Sequence, residues 1–227
     1  MGGSTNYYYM INSLENKPNN LEKMQTDFCE LFDDSKRPEA IEIFKSISKE
    51  YGSDKRSYHT LDHVRNLLEF LEKYRQQISD WHSVRLATWF HDVVYNTERH
   101  DNEAQSAEYA KKFLEQLSVE KNTIDRVVAL IQATAKHEEV ADDPDSKYFL
   151  DGDLSILGAD EKSYDEYADK IRQEYNFVPI DDYKKGRTMV LENFLKRDRI
   201  YFSNEMGQNS EEQARKNLKR EIEKLSL

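Results

Sequence analysis

The 227-residue sequence predicts an all-α fold, and three observations carry that expectation. Glycine and proline are scarce, at 7 and 4, whereas a β-sandwich or barrel draws on both for its many turns. Apolar residues recur at spacings of three and four rather than two. The chain also holds 14 Tyr, 10 Phe and 2 Trp beside 34% charged residues, the composition of an aromatic core under a charged surface and not of a disordered chain.

Taken in order, residues 1–20 are polar, rich in Asn and aperiodic apart from Tyr7, Tyr8 and Tyr9, and read as a loose or docked arm. Residues 21–227 read as a single domain of roughly nine helices with the site in the helical core. Pro38 opens a stripe of Ile41, Phe44, Ile47 and Tyr51 that Gly52 stops. After a polar loop, Val64, Leu67, Leu68, Leu71, Tyr74 and Ile78 share one helix face. Val84, Ala87, Phe90, His91 and Val94 mark a largely buried helix. The loop 96–100 precedes a helix through Ala104, Ala107, Ala110, Phe113, Leu114 and Leu117, and Ile124, Val127, Val128, Ile131 and Ala135 mark another. An acidic loop, 138–147, contains Pro144 and leads into a short apolar segment, 149–157, that carries Asp151 and Asp153. Tyr164, Tyr167, Ile171 and Tyr175 form a further stripe, more of a core face than a base-stacking platform. A helix over 181–197 and a last one from Ser210, opened by the capping-box pattern Ser-Glu-Glu-Gln, complete the chain.

The formal charge of −11, from 33 Lys+Arg against 44 Asp+Glu, disfavours broad attraction to a nucleic-acid polymer or an anionic membrane. It does not exclude a small anionic substrate, because a metal or a few arginines invert the local field. The single cysteine, Cys29, excludes an intrachain disulfide framework and CxxC motifs. No apolar run approaches a membrane span, and the first residues lack a basic segment followed by an apolar one. A cytoplasmic protein is the expectation, with a homo-oligomer left open.

The chemistry concentrates in four places: Tyr58-His59-Thr60-Leu61-Asp62-His63, His91-Asp92, His137, and Asp151-Gly152-Asp153. His59 and His63 are four apart, so on a helix they share a face, and His63 adjoins the stripe of Val64 and Leu67. A zincin needs Glu after its first His, and Thr60 stands there. Asp92 lies inside Trp89-Phe-His-Asp-Val-Val94, where a carboxylate is costly unless paired or metal-bound. Asp153 sits in comparable company, although Asp151 and Asp153 also suit a cap for a helix beginning near Leu154. Two imidazoles and two carboxylates in a helical core fit a mixed N/O site for a divalent ion, and ligand type alone does not choose among Mn, Mg, Fe, Co, Ni and Zn. His82 and His100 read as ordinary surface residues, and Glu103 as a helix cap.

The order His … His-Asp … Asp resembles the HD superfamily of metal-dependent phosphohydrolases, in particular its group of bacterial predicted phosphohydrolases. The resemblance rests on residues 56–64, 89–95, 101–103, 133–137, 149–158 and 186–197. It implies His63, His91, Asp92 and Asp153 as metal ligands and hydrolysis by attack of metal-activated hydroxide on phosphorus, with Asp92 orienting the water. The 58–63 and 153–155 segments also look like those of cyclic-nucleotide phosphodiesterases, which implies His59 as proton donor to the leaving oxygen. Alarmone hydrolases share His-Asp-Val-Val but follow it with an acidic pair; here Tyr95 and Asn96 stand in that place, leaving the acid role to His59 or Glu103.

The substrate implied is a small phosphorylated molecule, in particular a nucleotide, held by Lys55, Arg56, Arg187 and His137, with Arg197 a further cation. His137 ends its expected helix, where an imidazolium meets the helix C-terminus favourably; the resemblance also implies substrate or second-metal contact. Two other classes compete. One is a non-catalytic module that binds a nucleotide or a partner, and the other a di-iron oxygenase, for whose second ion only His137 and Glu103 offer ligands.

Overall fold

Every regular element among the described residues is helical, with no strand. The computed structural model describes residues 20–227, so the expected arm, apart from Asn20, lies outside the described residues. Helix α1 covers residues 20–29. It is followed by α2 (Arg37–Tyr51), α3 (Leu61–Lys73), α4 (Trp81–Phe90), α5 (Asn102–Gln116) and α6 (Lys121–Ala133). Then come α7 (Ser146–Asp153), α8 (Glu161–Glu174), α9 (Ile180–Leu195), α10 (Asn204–Asn209) and α11 (Glu211–Leu225). Single 3-10 turns cover Asp34–Lys36, Arg75–Gln77 and Ser155–Gly158.

Helix α4 sits at the centre, packed by α3, α5, α6 and α7. Its residues 83, 84 and 86–90 are all buried, which is why it shows little polar character on any face. Trp89 meets Phe28 and Phe44 edge to face, at 5.4 and 5.9 Å between ring centroids, joining α1 and α2 to α4. Each such ring fully removed from water contributes about 1.5–3 kcal/mol. The acidic loop is folded by Arg126 of α6, whose guanidinium forks onto Asp143 (2.7 and 2.7 Å) and reaches Asp145 (2.8 Å) and Asp80 (2.7 Å). Helix α11 packs on α8, α9 and the Ser155–Gly158 turn. No helix among the described residues is long and apolar enough to cross a membrane.

Several expected boundaries are corrected. His59 and His63 do not share a helix: Thr60 is extended (φ −115°, ψ −179°) and its hydroxyl accepts the Asp62 amide, so α3 starts after His59. Helix α4 ends at Phe90, leaving His91 as its cap and Asp92 in the turn beyond. Asp151 and Asp153 lie inside and at the end of α7 instead of capping a following helix. Asp151 accepts the amides of Phe202 (2.7 Å) and Ser203 (2.8 Å) and so pins the loop before α10. The capping box at Ser210 does not form, because the Ser210 amide and hydroxyl turn back to Met206 and the Gln213 side chain donates forward to Asn217 (3.0 Å); Glu211 instead holds the amides of Ile200 and Tyr201 and pairs with Arg215.

The approach of α7 to α3 depends on Gly152. A Cβ there would stand 2.4 Å from Leu67 Cδ1 and 2.7 Å from Phe70 Cδ1, so only the bare backbone fits against the α3 side chains. That contact brings Asp153, at the end of α7, level with His63 on α3.

Candidate metal centre

Three elements converge on one point. His63 is one turn into α3 on its buried face, His91 caps α4, Asp92 follows it, and Asp153 closes α7. One donor atom from each lies within 4.8 Å of the others. His63 Nε2 is 3.0 Å from His91 Nε2 and 3.2 Å from Asp153 Oδ1. His91 Nε2 is 3.2 Å from Asp92 Oδ2 and 3.6 Å from Asp153 Oδ1. Donors bound at about 2.1 Å to one ion lie about 3.0 Å apart at right angles and about 3.4 Å at the tetrahedral angle. The observed spacings bracket those values.

The hydrogen bonding agrees. His91 Nδ1 is 2.9 Å from the Thr88 carbonyl, which only accepts, so Nδ1 carries the proton and a neutral His91 presents a bare Nε2 to the cluster. Burial disfavours an imidazolium, yet Asp92 and Asp153 hold the His91 proton well above the ordinary range. Burial likewise works against the Asp153 carboxylate, but His137, His63 and His91 bring its pKa well below the usual value. A concentration of acceptors that binds protons this firmly is a concentration that a divalent cation satisfies. The four residues can hold a metal ion.

Around this cluster stands a second set of contacts. His59 Nδ1 donates to Glu174 Oε2 at 2.8 Å, and Glu174 Oε1 accepts the amides of Ser57, Tyr58 and His59 at 2.8, 2.8 and 2.9 Å. Tyr95 donates its hydroxyl to the same carboxylate at 3.0 Å. Burial would raise the Glu174 pKa, but His59 and these amides hold it down to about 2. Burial pulls His59 down, and Glu174 and Asp92 more than reverse this, so its proton is held above the ordinary imidazole range. His137 Nε2 lies 3.0 Å from Asp153 Oδ2, on the oxygen turned away from the cluster.

No family model matches this chain, and neither a curated protein nor a solved structure does. Its own geometry therefore sorts the expected residues.

His63, His91, Asp92, Asp153, His137 and His59 are brought together. Lys55 is exposed and lines a cleft of ≈ 480 Å³ with Ser57, Tyr95, Asn96 and Glu174. Arg56 is corrected: its guanidinium donates to the carbonyls of His59 (3.1 Å), Asp92 (2.6 Å) and Val93 (2.8 Å), tying the two halves of the site together instead of facing a ligand. Arg187 is corrected too, for it is forked onto Glu221 at 2.8 and 3.1 Å beside Tyr167. Glu103 stands in the first turn of α5, where its charge suits the helix N-terminus, and no hydrogen bond among the described residues joins it to the cluster. His100 is exposed, and His82 is half-buried on α4.

Glu174 is the residue that sequence reasoning missed. The available signal was its place on the α8 stripe, three after Ile171 and next to Tyr175, where a carboxylate on an apolar face asks for a partner.

Proposed function

We propose that the protein is a metal-dependent phosphohydrolase acting on a small phosphoester or phosphoanhydride, a nucleotide in particular. The observation that carries this is the pairing of a four-residue N/O cluster with an adjacent imidazole hydrogen-bonded to a buried carboxylate. His63, His91, Asp92 and Asp153 would hold the ion. When bound, a divalent ion lowers the pKa of a coordinated water toward about 7 and offsets charge on phosphoryl oxygens. Asp92 has a second carboxylate oxygen with which to orient the attacking water. His59, fixed by Glu174 through Nδ1, offers its other nitrogen as proton donor to the leaving oxygen. Lys55, at the rim, supplies a mobile positive charge for phosphate. The oxygenase reading has less support, since among the described residues neither Glu103 nor His137 belongs to the four-residue group and no hydrogen bond joins Glu103 to it.

The test is phosphate release from nucleotides and a generic phosphodiester with Mn²⁺ and other divalent ions. Activity that EDTA abolishes, and that His91→Ala and Asp153→Ala each remove, is the expected result. Unchanged activity in either variant would overturn the site. A metal-dependent thermal shift with nucleotide and no hydrolysis of any substrate would replace the enzyme with a binding module.

A further inference from the structure

The turn after α6 is held both by its own backbone and by a side chain from a distant helix end. Helix α6 stops at Ala133, and His137 takes a left-handed backbone, φ 48°, a conformation that ordinarily falls to glycine or asparagine. Histidine enters that region more often than most side chains do, but the bend still has to be held. The Glu138 amide closes the turn on the Ala133 carbonyl at 3.3 Å, the bond that ordinarily caps a helix at a left-handed residue, and Arg197, just beyond α9, adds a second restraint: its Nη1 donates to the His137 carbonyl at 3.0 Å and its Nη2 to the Lys136 carbonyl at 2.7 Å. Its guanidinium lies over the Phe194 ring at 4.7 Å, and the same ring meets the His137 imidazole edge to face at 6.0 Å. The arginine is anchored in turn, because Arg215 of α11 donates to the carbonyls of Leu195 (3.0 Å) and Arg197 (2.7 Å).

We infer that Arg197 is a positioning residue for the metal centre: it clamps residues 136 and 137 so that the His137 imidazole reaches the outer oxygen of Asp153. The C-terminal helices thereby orient a ligand that the N-terminal half of the chain shares. A metal-bound carboxylate oriented through its other oxygen binds its ion more firmly than a free one, and loss of such a partner typically costs 10–100-fold in affinity. The inference rests on the proposed metal site for this consequence, but the clamp itself does not need the ion.

Two readouts on the full chain separate the two. In nitrogen-resolved NMR of the histidine side chains with EDTA present, Arg197→Ala is expected to move the His137 Nε2 signal toward that of a solvated imidazole. Arg197→Lys, which keeps the charge and one donor, is expected to move it less. Arg220→Ala is the control, since Arg220 pairs with Glu161 and Asp165 away from the cluster, and it is expected to leave the signal in place. In Mn²⁺ titration, Arg197→Ala is expected to weaken binding by about tenfold or more, with partial recovery in Arg197→Lys. An unmoved His137 signal in Arg197→Ala, or Mn²⁺ affinity equal to wild type, would overturn the positioning role. Failure of the wild type to bind Mn²⁺ would instead overturn the metal reading, and the His137 signal would still decide the clamp.

Discussion

Glu174 governs His59, an imidazole beside the four-residue cluster and not one of its members. Its folded pKa, about 2, lies below the ordinary 4.5, so its pairing adds stability that is fully present above about pH 4.5 and is lost as pH falls toward 2. Glu174→Gln keeps an acceptor for the three amides but turns an amide N–H toward His59. Acid unfolding followed by circular dichroism should therefore be shallower between pH 4.5 and 2 in this variant. If hydrolysis is found, the basic limb of its pH profile should move to lower pH, because His59 loses the partner that raises its pKa. A second residue-scale prediction concerns His137. A left-handed bend costs a non-glycine residue about 1–2 kcal/mol, so His137→Gly should exceed His137→Ala in stability by about 1 kcal/mol, the reverse of their order inside a helix. Equal denaturation midpoints would mean the bend carries no strain. Of these residues, His91, Asp92 and Asp153 were legible because they stood amid apolar runs and His63 because it adjoins one, whereas His59 and His137 stand among polar neighbours and were singled out by spacing, by a helix end and by the family resemblance. Glu174 was not, since its partners are the Ser57–His59 amides, 115–117 positions earlier, and that pairing leaves no local pattern.

At the scale of elements, Gly152 sets how closely α7 lies on α3. Gly152→Ala must displace Leu67 and Phe70 in a filled interior, and overpacking of this kind costs about 1–3 kcal/mol. The same displacement separates Asp153 from His63, so Mn²⁺ affinity should fall together with thermal stability; a variant that lost stability alone would show that α7 can retreat without carrying Asp153 with it. The helices themselves were readable from apolar spacing, since stripes such as Ile47–Tyr51 and Val64–Leu71 have one inward face. Their ends were less so. Thr60 sets the start of α3 by adopting an extended conformation that a Thr permits but does not demand. The Ser210 pattern failed because Ser210 already ends α10 through Met206 and Gln213 found Asn217 one turn on, contacts the pattern does not include. Arg56 and Arg187 misled for the same reason: a guanidinium preceding a motif looks the same in sequence whether it meets phosphate, backbone carbonyls or Glu221.

Across the whole molecule, the cluster is assembled from α3, the end of α4 and α7, with the turn after α6 supplying His137 to Asp153, α8 supplying Glu174 and the α9 end supplying Arg197. An ion bound there links elements that are otherwise joined mainly by packing, and it binds the folded chain alone. At a hundredfold excess over its dissociation constant it should add about 2.7 kcal/mol, which for a chain of this size raises the unfolding temperature by about 5–10 °C. EDTA should reverse the rise. Affinity should also fall below neutral pH, because the ion must displace the proton that His91 holds well above its ordinary range. The measurement that bears most directly on the site is a calorimetric titration of Mn²⁺ into the EDTA-stripped wild type and into Asp153→Ala at matched pH. Saturable binding by the wild type, weakened about a hundredfold or more in the variant, is the expected result. Equal binding by both chains, or none by either, would contradict a metal centre built on His63, His91, Asp92 and Asp153.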